Sequence, residues 1–308
     1  MLWFAKLFSI MTPKYTEKAY AKVNLFLRII GHRPDNYHEL ISLVAFASDV
    51  YDIVTLTPSA DFSFRTSGSY SSEVIGKNII CKSVELAKSK IPDLKLGRIE
   101  LEKKIPVSSG LGGGSADAAA VLRTIGHLNN VADLKSAFFE ICSQIGADVP
   151  VCLNSQLAKS AFMWGRGEHI WRPTSSRNNI LPEGVYAILV NPGIPVSTKS
   201  VFSVLRHSNL QKVIISHDIP SHFKNFDELI KYLHNTSNDL EEPACSIAPI
   251  ISDVLCVLRN LPKCALARMS GSGATCFALF DNLMQTKMVA KQLSYQHPEW
   301  WIKSTQLS

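Results

Sequence analysis

A chain of 308 residues, 46% of them apolar, is long enough for two domains and a sizeable core. Its net charge of +6, from 32 basic and 26 acidic residues, suits a small polyanionic substrate. With no dense basic run, no aromatic–basic alternation and no apolar run near the ~20 residues of a membrane span, neither nucleic acid nor a membrane is expected as a partner.

Residues 1–11 are apolar but broken by Lys6, and they lack the longer apolar stretch and small-residue cleavage site of a signal peptide. Residues 1–12 are therefore expected to be an amino-terminal extension, with Met11 as the natural start. Residues 19–30 alternate as a strand: Ala21, Val23, Leu25, Leu27 and Ile29 on one face, Lys22, Asn24 and Arg28 on the other. Lys22 and Asn24 then point the same way, about 7 Å apart. A lone lysine there would ordinarily face solvent. Residues 51–57 and 61–67 read as further strands, and Ile80, Val84, Ala87 and Ile91 mark a helix.

The most informative segment follows. Ile99, Glu100, Leu101, Glu102 and Lys103 alternate as a half-buried strand, which Pro106 closes. Then come Ser108, Ser109, Gly110, Leu111, Gly112, Gly113, Gly114 and Ser115, and a helix marked by Ala118, Val121, Leu122, Ile125 and Leu128. Clustered glycines cost conformational entropy, so a backbone that approaches a ligand closely is the natural reason for them. At a helix start the ligand is an anion, because free N–H groups and the positive end of the helix dipole converge there. The segment predicts a phosphate cradle; a flexible loop or tight turn is the plain alternative. It is not a P-loop, since Ser115-Ala116 stands where Lys-Ser/Thr is required. It is not a dinucleotide loop either: Ser115 replaces the third glycine, and a second helical pattern through Leu134, Phe138, Ile141 and Ile145 follows.

Ser115 is positioned to cap the helix or to donate its hydroxyl to a ligand. Gly146 reads as a helix end and Val149-Pro150 as a bar to continuation. Asp148 then lies in a rigid turn, as a general base or as an Asx-turn aspartate serving the backbone. The polar stretch 172–179 reads as a linker, dividing the chain into halves 13–170 and 171–308. Residues 185–190 read as a buried strand, and 198–206, 226–234 and 240–259 as helices. Strands at 265–269 and 275–280 flank a second glycine loop, Ser270-Gly271-Ser272-Gly273. Asn238 and Glu241 stand at capping-box spacing. Strands and helices interleave without strict βαβ periodicity, so the class is α+β.

The seven cysteines show no C-x-x-C spacing and read as buried thiols in a reducing cytoplasm. His32, His127, His169 and His234 show no metal-ligand spacing, so no protein-only metal site is expected.

Three of these segments resemble the motifs of the GHMP kinases. They are Ala21-Lys22-Val23-Asn24-Leu25, the central run Pro106-Val107-Ser108 through Ala119, and Met269 to Phe280 with its glycine loop. Gly31 to Leu40, Gly146-Ala147-Asp148-Val149-Pro150, Asn191-Pro192-Gly193 and Asn238-Asp239-Leu240-Glu241 are similar to one branch of that family. This branch phosphorylates the 2-hydroxyl of a cytidine-diphosphate-linked methylerythritol in non-mevalonate isoprenoid synthesis. The resemblance implies the two-domain GHMP fold: a ribosomal protein S5 domain 2-like ATP domain and a ferredoxin-like carboxyl-terminal domain, with the active site between them. It implies ATP, with Mg²⁺, on Pro106, Val107, Ser108, Ser109, Gly110, Leu111, Gly112, Gly113, Gly114 and Ser115. It implies Lys22 and Asp148 as the catalytic pair. Tyr37 and Phe202 would sandwich a cytosine, His38 would read its edge, and Asn24 and Thr198 would orient the rest of the substrate. A monomer or weak homodimer is expected. Ala116 stands where the family usually has a second serine, so position 116 receives no role. Another GHMP kinase, acting on homoserine, mevalonate or a sugar, remains an alternative, which a nucleobase reader at Tyr37-His38 disfavours. A catalytically silent nucleotide-binding regulator is a second, which Lys22 and Asp148 together disfavour.

Overall fold

The computed structural model describes residues 13–33, 37–74, 78–131, 133–153, 159–173, 179–205 and 219–308. The expected extension 1–12, Pro34-Asp35-Asn36, part of the expected linker (174–178) and the end of the helix predicted at 198–206 lie outside the described residues.

The first sheet is built on one long strand. β1 (Tyr15–His32) pairs antiparallel with β2 (His38–Pro58) along almost its whole length. On the other edge of β2, its first part pairs with β5 (Ala161–Gly165) and its last part with β4 (Gly97–Glu102). β3 (Ser63–Ser67) and β6 (His169–Trp171) form the two ends. Alternation predicts a strand only over residues 51–57, whereas β2 starts at His38. Residues 40–47 are buried without a break, so the alternation that marks a half-exposed strand is missing there.

Helices α1 (Ile79–Lys90), α2 (Gly113–Leu128) and α3 (Leu134–Ile145) cover one side of this sheet, joined by the short α4 (Val149–Leu153). Asn78 and Asp133 cap α1 and α3 by accepting first-turn N–H groups. Two predicted details change. Gly146 ends α3 in an extended conformation (φ −178°), so it is not a left-handed cap. Pro150 does not bar a helix; it lies in the first turn of α4, where a missing N–H costs nothing.

The second sheet contains β7 (Tyr186–Asn191), β8 (Leu266–Met269), β9 (Cys276–Phe280) and β10 (Trp301–Gln306), in the order β10-β7-β9-β8 and antiparallel throughout. Helices α5 (Thr198–Val204), α6 (Phe226–His234), α7 (Glu241–Ile247) and α8 (Ile250–Arg259) separate β7 from β8, and α9 (Leu283–Gln296) separates β9 from β10. The pattern is the βαββαβ arrangement of ferredoxin-like sheets, with extra helices in the first crossover. The single helix predicted for 240–259 is two helices, because Pro249 forces Ala248 out of helical conformation (φ −134°, ψ 83°). α9 and β10 were not foreseen. Met284, Met288 and Tyr295 are exposed on α9, which blurs its apolar period.

The two sheets meet through β1. Ala21, Val23 and Leu25 pack with Leu189, Phe277 and Leu307 in a core between the sheets. Beyond a register shift between Asn24 and Phe26, Leu27 and Ile29 pack instead with α7 and α8. The single face predicted for residues 21–29 is thus divided between two cores. Lys22 and Asn24 on the opposite face are also buried, so the solvent-facing alternative for Lys22 does not hold. Cysteines 142, 152 and 276 are buried, but Cys256 is exposed and Cys81, Cys245 and Cys264 are half-buried, which corrects the expectation of uniformly buried thiols.

Candidate active site

Where β1, the start of α2, α5 and the second glycine loop meet lies a cleft of about 740 Å³. At its centre is Lys22. Register shifts in β1 on either side of residues 22–24 redirect these side chains, as bulges do beside binding sites. The Lys22 ammonium donates to Asn24 Oδ1 at 2.8 Å and to Asp148 Oδ1 at 3.0 Å. Asn24 is held in turn by donating to Ser42 Oγ at 2.8 Å. The side chain of Lys22 is 3% exposed and that of Asp148 36%, so the ammonium is a fixed interior charge and the carboxylate opens on the cleft. Asp148 directly precedes α4, and its carbonyl accepts the Cys152 N–H.

The glycine segment forms one wall. Gly112, left-handed at φ +62°, is the residue before α2, and a Cβ there would come within 2.9 Å of Lys22 Cε. The Lys22 N–H donates to the Leu111 carbonyl. Ser115 lies inside the first turn and is not the helix cap; Gly112 takes that position without a side chain, which leaves the leading N–H groups of α2 open to the cleft. The second glycine loop is tied to the first. Ser270 Oγ donates to Gly110 O and receives the Asn24 N–H, both at 3.0 Å, and Thr275 N–H donates to Ser109 O. The approach is so close that a Cβ on Gly110 (φ +76°) would stand 2.3 Å from the Ser270 carbonyl oxygen. Asn238 completes the clamp: its amide donates to the carbonyls of Met269 and Gly271, each at 2.8 Å. Glu241 accepts the Met269 N–H. The reciprocal capping box predicted for Asn238 and Glu241 does not form: Asn238 Oδ1 accepts the Leu240 N–H at 3.0 Å just ahead of α7, while its amide and the Glu241 carboxylate turn to the second glycine loop.

The opposite end is aromatic. Tyr37 and His38, at the start of β2, line the cleft there. His38 and Phe202 rings lie 5.0 Å apart, and the Arg166 guanidinium sits 4.6 Å from the centre of the Tyr37 ring. The implied sandwich partners thus have other neighbours: Phe202 meets His38, and Tyr37 already has Arg166 against it. Thr198 Oγ1 lies 2.8 Å from Ser272 Oγ, joining α5 to the second glycine loop.

Of the residues singled out in the sequence, Lys22, Asn24, Tyr37, His38, Ser108, Ser109, Gly110, Gly112, Gly113, Gly114, Ser115, Asp148, Thr198 and Phe202 line the cleft. Pro106, Val107 and Leu111 do not; Leu111 is buried in the core between the sheets and contributes its carbonyl to Lys22. Gly271 and Ser272 of the second glycine loop also line it, as do Ile79, Arg166 and Lys199, to which the sequence gives no site role. The glycine loop was visible in the sequence as a loop; nothing in the periodicity of α1 marks Ile79. Among the described residues no group of three or more His, Cys, Asp or Glu gathers as a metal cage, and no helix is long and apolar enough to cross a membrane.

Comparison with known proteins agrees with this architecture. The family model for the GHMP kinases N terminal domain matches residues 78–156, and that for the GHMP kinases C terminal matches 211–301. A 4-diphosphocytidyl-2-C-methyl-D-erythritol kinase of Rhodopseudomonas palustris (strain HaA2) is 40% identical over 305 residues, covering 96% of this chain and 99% of its own. One of Bradyrhizobium sp. (strain BTAi1) is 39% identical over 300 residues, covering 95% and 96%. A crystal structure of 4-(cytidine 5'-diphospho)-2C-methyl-D-erythritol kinase superposes with a TM-score of 0.71 at 29% identity, covering 96% of this chain and 99% of that one. Homoserine kinase from Cytophaga hutchinsonii shares the fold, with a TM-score of 0.66 at 16% identity over 97% and 96% of the two chains. With both family halves matched and relatives aligned from end to end, the chain belongs to the GHMP kinases, within the family of 4-diphosphocytidyl-2-C-methyl-D-erythritol kinases.

Proposed function

We propose that this protein transfers the γ-phosphoryl group of ATP to the 2-hydroxyl of 4-diphosphocytidyl-2-C-methyl-D-erythritol. The observation that carries the reading is the Lys22–Asp148 pair, which stands between an anion cradle and an aromatic pocket in one cleft. Phosphoryl transfer needs these three parts: a held donor, charge compensation at the moving group and an oriented nucleophile.

ATP lies with its phosphates on the open N–H groups at the start of α2. It enters with Mg²⁺ as its counter-ion, a substrate-borne metal whose oxygen shell comes largely from phosphate and water. Asp148 accepts the proton of the acceptor hydroxyl as that oxygen bonds to the γ-phosphorus. The bond from phosphorus to the β–γ bridging oxygen breaks, and ADP leaves. Lys22 orients the Asp148 carboxylate and offsets the charge that gathers on the transferred group. Asn24 fixes Lys22. Tyr37, His38 and Phe202 take the cytosine, and Thr198 orients the phosphate-bearing part. The halves 13–170 and 171–308 act as the two walls. The free cysteines support a reducing cytoplasm.

The test is an ADP-release assay with ATP and Mg²⁺ over a panel of acceptors that differ only in nucleobase, with homoserine and mevalonate alongside. Turnover of the cytidine compound, with at least tenfold lower kcat/KM for the uridine analogue, is expected. Equal turnover of base-free acceptors removes the nucleobase reading; no ADP release with any acceptor removes the kinase reading.

A further inference from the structure

Beneath the cradle lies a cluster of charges that the proposed chemistry does not use. The Lys103 ammonium, buried at the end of β4, donates to Asp52 Oδ2 and, at 2.7 Å, to Asp117 Oδ2. Asp52 Oδ1 accepts the N–H groups of Lys104 and Ile105, the latter at 2.9 Å, and so fixes the chain that leads into the cradle. Lys103 lies close to the cradle: a Cβ added to Gly113 would stand 3.1 Å from its Nζ. Asp117 follows Gly113 by about one helical turn.

The two carboxyls are not equivalent. Asp52 has donors on both oxygens. Asp117 has Lys103 on Oδ2, whereas its Oδ1 is buried with no hydrogen-bond partner among the described residues. An ionised oxygen without donors in a dry site is costly, and a neutral hydroxyl is less so. With Asp52 and Lys103 charged and Asp117 neutral, the cluster carries no net charge. With Asp117 ionised it carries one uncompensated negative charge directly under a site for phosphates. We propose that Asp117 is a positioning residue whose neutral acid form keeps the floor of the cradle uncharged, so that loss of its proton weakens nucleotide binding.

Burial, reinforced by the charge of Asp52, pushes the Asp117 carboxyl up to about 8 against the opposing pull of Lys103. The charged groups that meet α2 from the other elements packed on it are paired, Glu17 also facing His127. α1 presents Ile80, Ser83, Val84 and Ala87, while α3 and α4 present Cys142 and Cys152, thiols that burial pushes up to about 12. From β1, Lys22 is paired with Asp148, and Glu17 is paired with Arg123 farther along α2.

The inference rests on ATP being the ligand of the cradle, and its test separates the two ideas. Binding of ATP with Mg²⁺ to the full chain is measured by calorimetry at pH 7.5 and pH 9.2. The wild type is expected to bind about threefold or more weakly at the higher pH. D117N, which stays uncharged, is expected to change by less than half as much. Equal pH dependence in the two proteins, or none in the wild type, overturns the role of Asp117. Absence of ATP binding at either pH overturns the kinase reading itself. A carbon-13 NMR titration of Asp117 in the wild type needs no variant to fold; a midpoint above 7 is expected, and one below 5 overturns the proposal.

Discussion

Lys22 and Asp148 are 126 positions apart in the chain, yet their ammonium and carboxylate lie 3.0 Å apart on the wall of one cleft. β1 delivers the first and the turn before α4 delivers the second. Their pairing carries the leading prediction. D148N keeps the fold, since Asp148 is partly exposed, and lowers kcat by about 10²–10⁴-fold with little change in the KM for ATP. Steady-state kinetics with circular dichroism as a fold control checks this; near-wild-type kcat would remove Asp148 from the mechanism.

Gly110 packs directly on the second glycine loop. G110A places a methyl group 2.3 Å from the Ser270 carbonyl and holds alanine at φ +76°. Backbone strain alone costs about 1–3 kcal/mol, and the two loops must also separate. A lower melting temperature and a raised KM for ATP are expected together. Melting unchanged from wild type would mean that the loops are not locked as described.

Arg166 lies against Tyr37 at one end of the cleft, far along the chain from the cradle. R166A should raise the KM for the acceptor by about tenfold and leave that for ATP unaltered. R166K should recover only part of the loss, because lysine lacks the planar face that packs on an aromatic ring. Full recovery with lysine would indicate that only the charge matters.

Asp117 also predicts a pH dependence of stability. Its carboxyl lies at about 8 in the folded protein, above its value of 3.8 as an ordinary aspartate. Folding therefore takes up a proton between these two limits. The stabilising contribution is complete below about pH 4 and is lost as the pH rises through about 8. Denaturant midpoints of the wild type should carry a decline over this window that D117N lacks. Parallel curves for the two proteins would contradict the assignment.

Asn238 tests the brace on the second glycine loop. N238A removes two hydrogen bonds to the carbonyls of Met269 and Gly271, together with the acceptor of the Leu240 N–H, and leaves buried backbone groups unpaired. Each such group costs about 1–3 kcal/mol. Chemical denaturation measures the loss; a change below 0.5 kcal/mol, on the order of an ordinary surface substitution, would show that the loop needs no brace.

Much of this protein was legible without coordinates. The glycine segment before α2 was visible as a loop at a helix start, with a phosphate cradle and a plain turn both open, and the helices α1, α2, α3 and α6 followed from local periodicity. The motif order pointed to the kinase family, and the cleft gathers the named residues from distant segments. What remained hidden was whatever depends on a neighbour distant in the chain. β2 could not be read from residue 38 because burial on both faces erases alternation. Asn238 and Glu241 show a local capping spacing, and Asn238 does accept the Leu240 N–H, but their bonds to Met269 and Gly271 are tertiary. Nothing in the spacing around Asp117 marks it; its setting exists only because Lys103 brings it together with Asp52. Sequence determines which groups are present and which local shapes the backbone prefers; burial and proximity, which set charge and reactivity, come into being only when separate strands and helices share one interior.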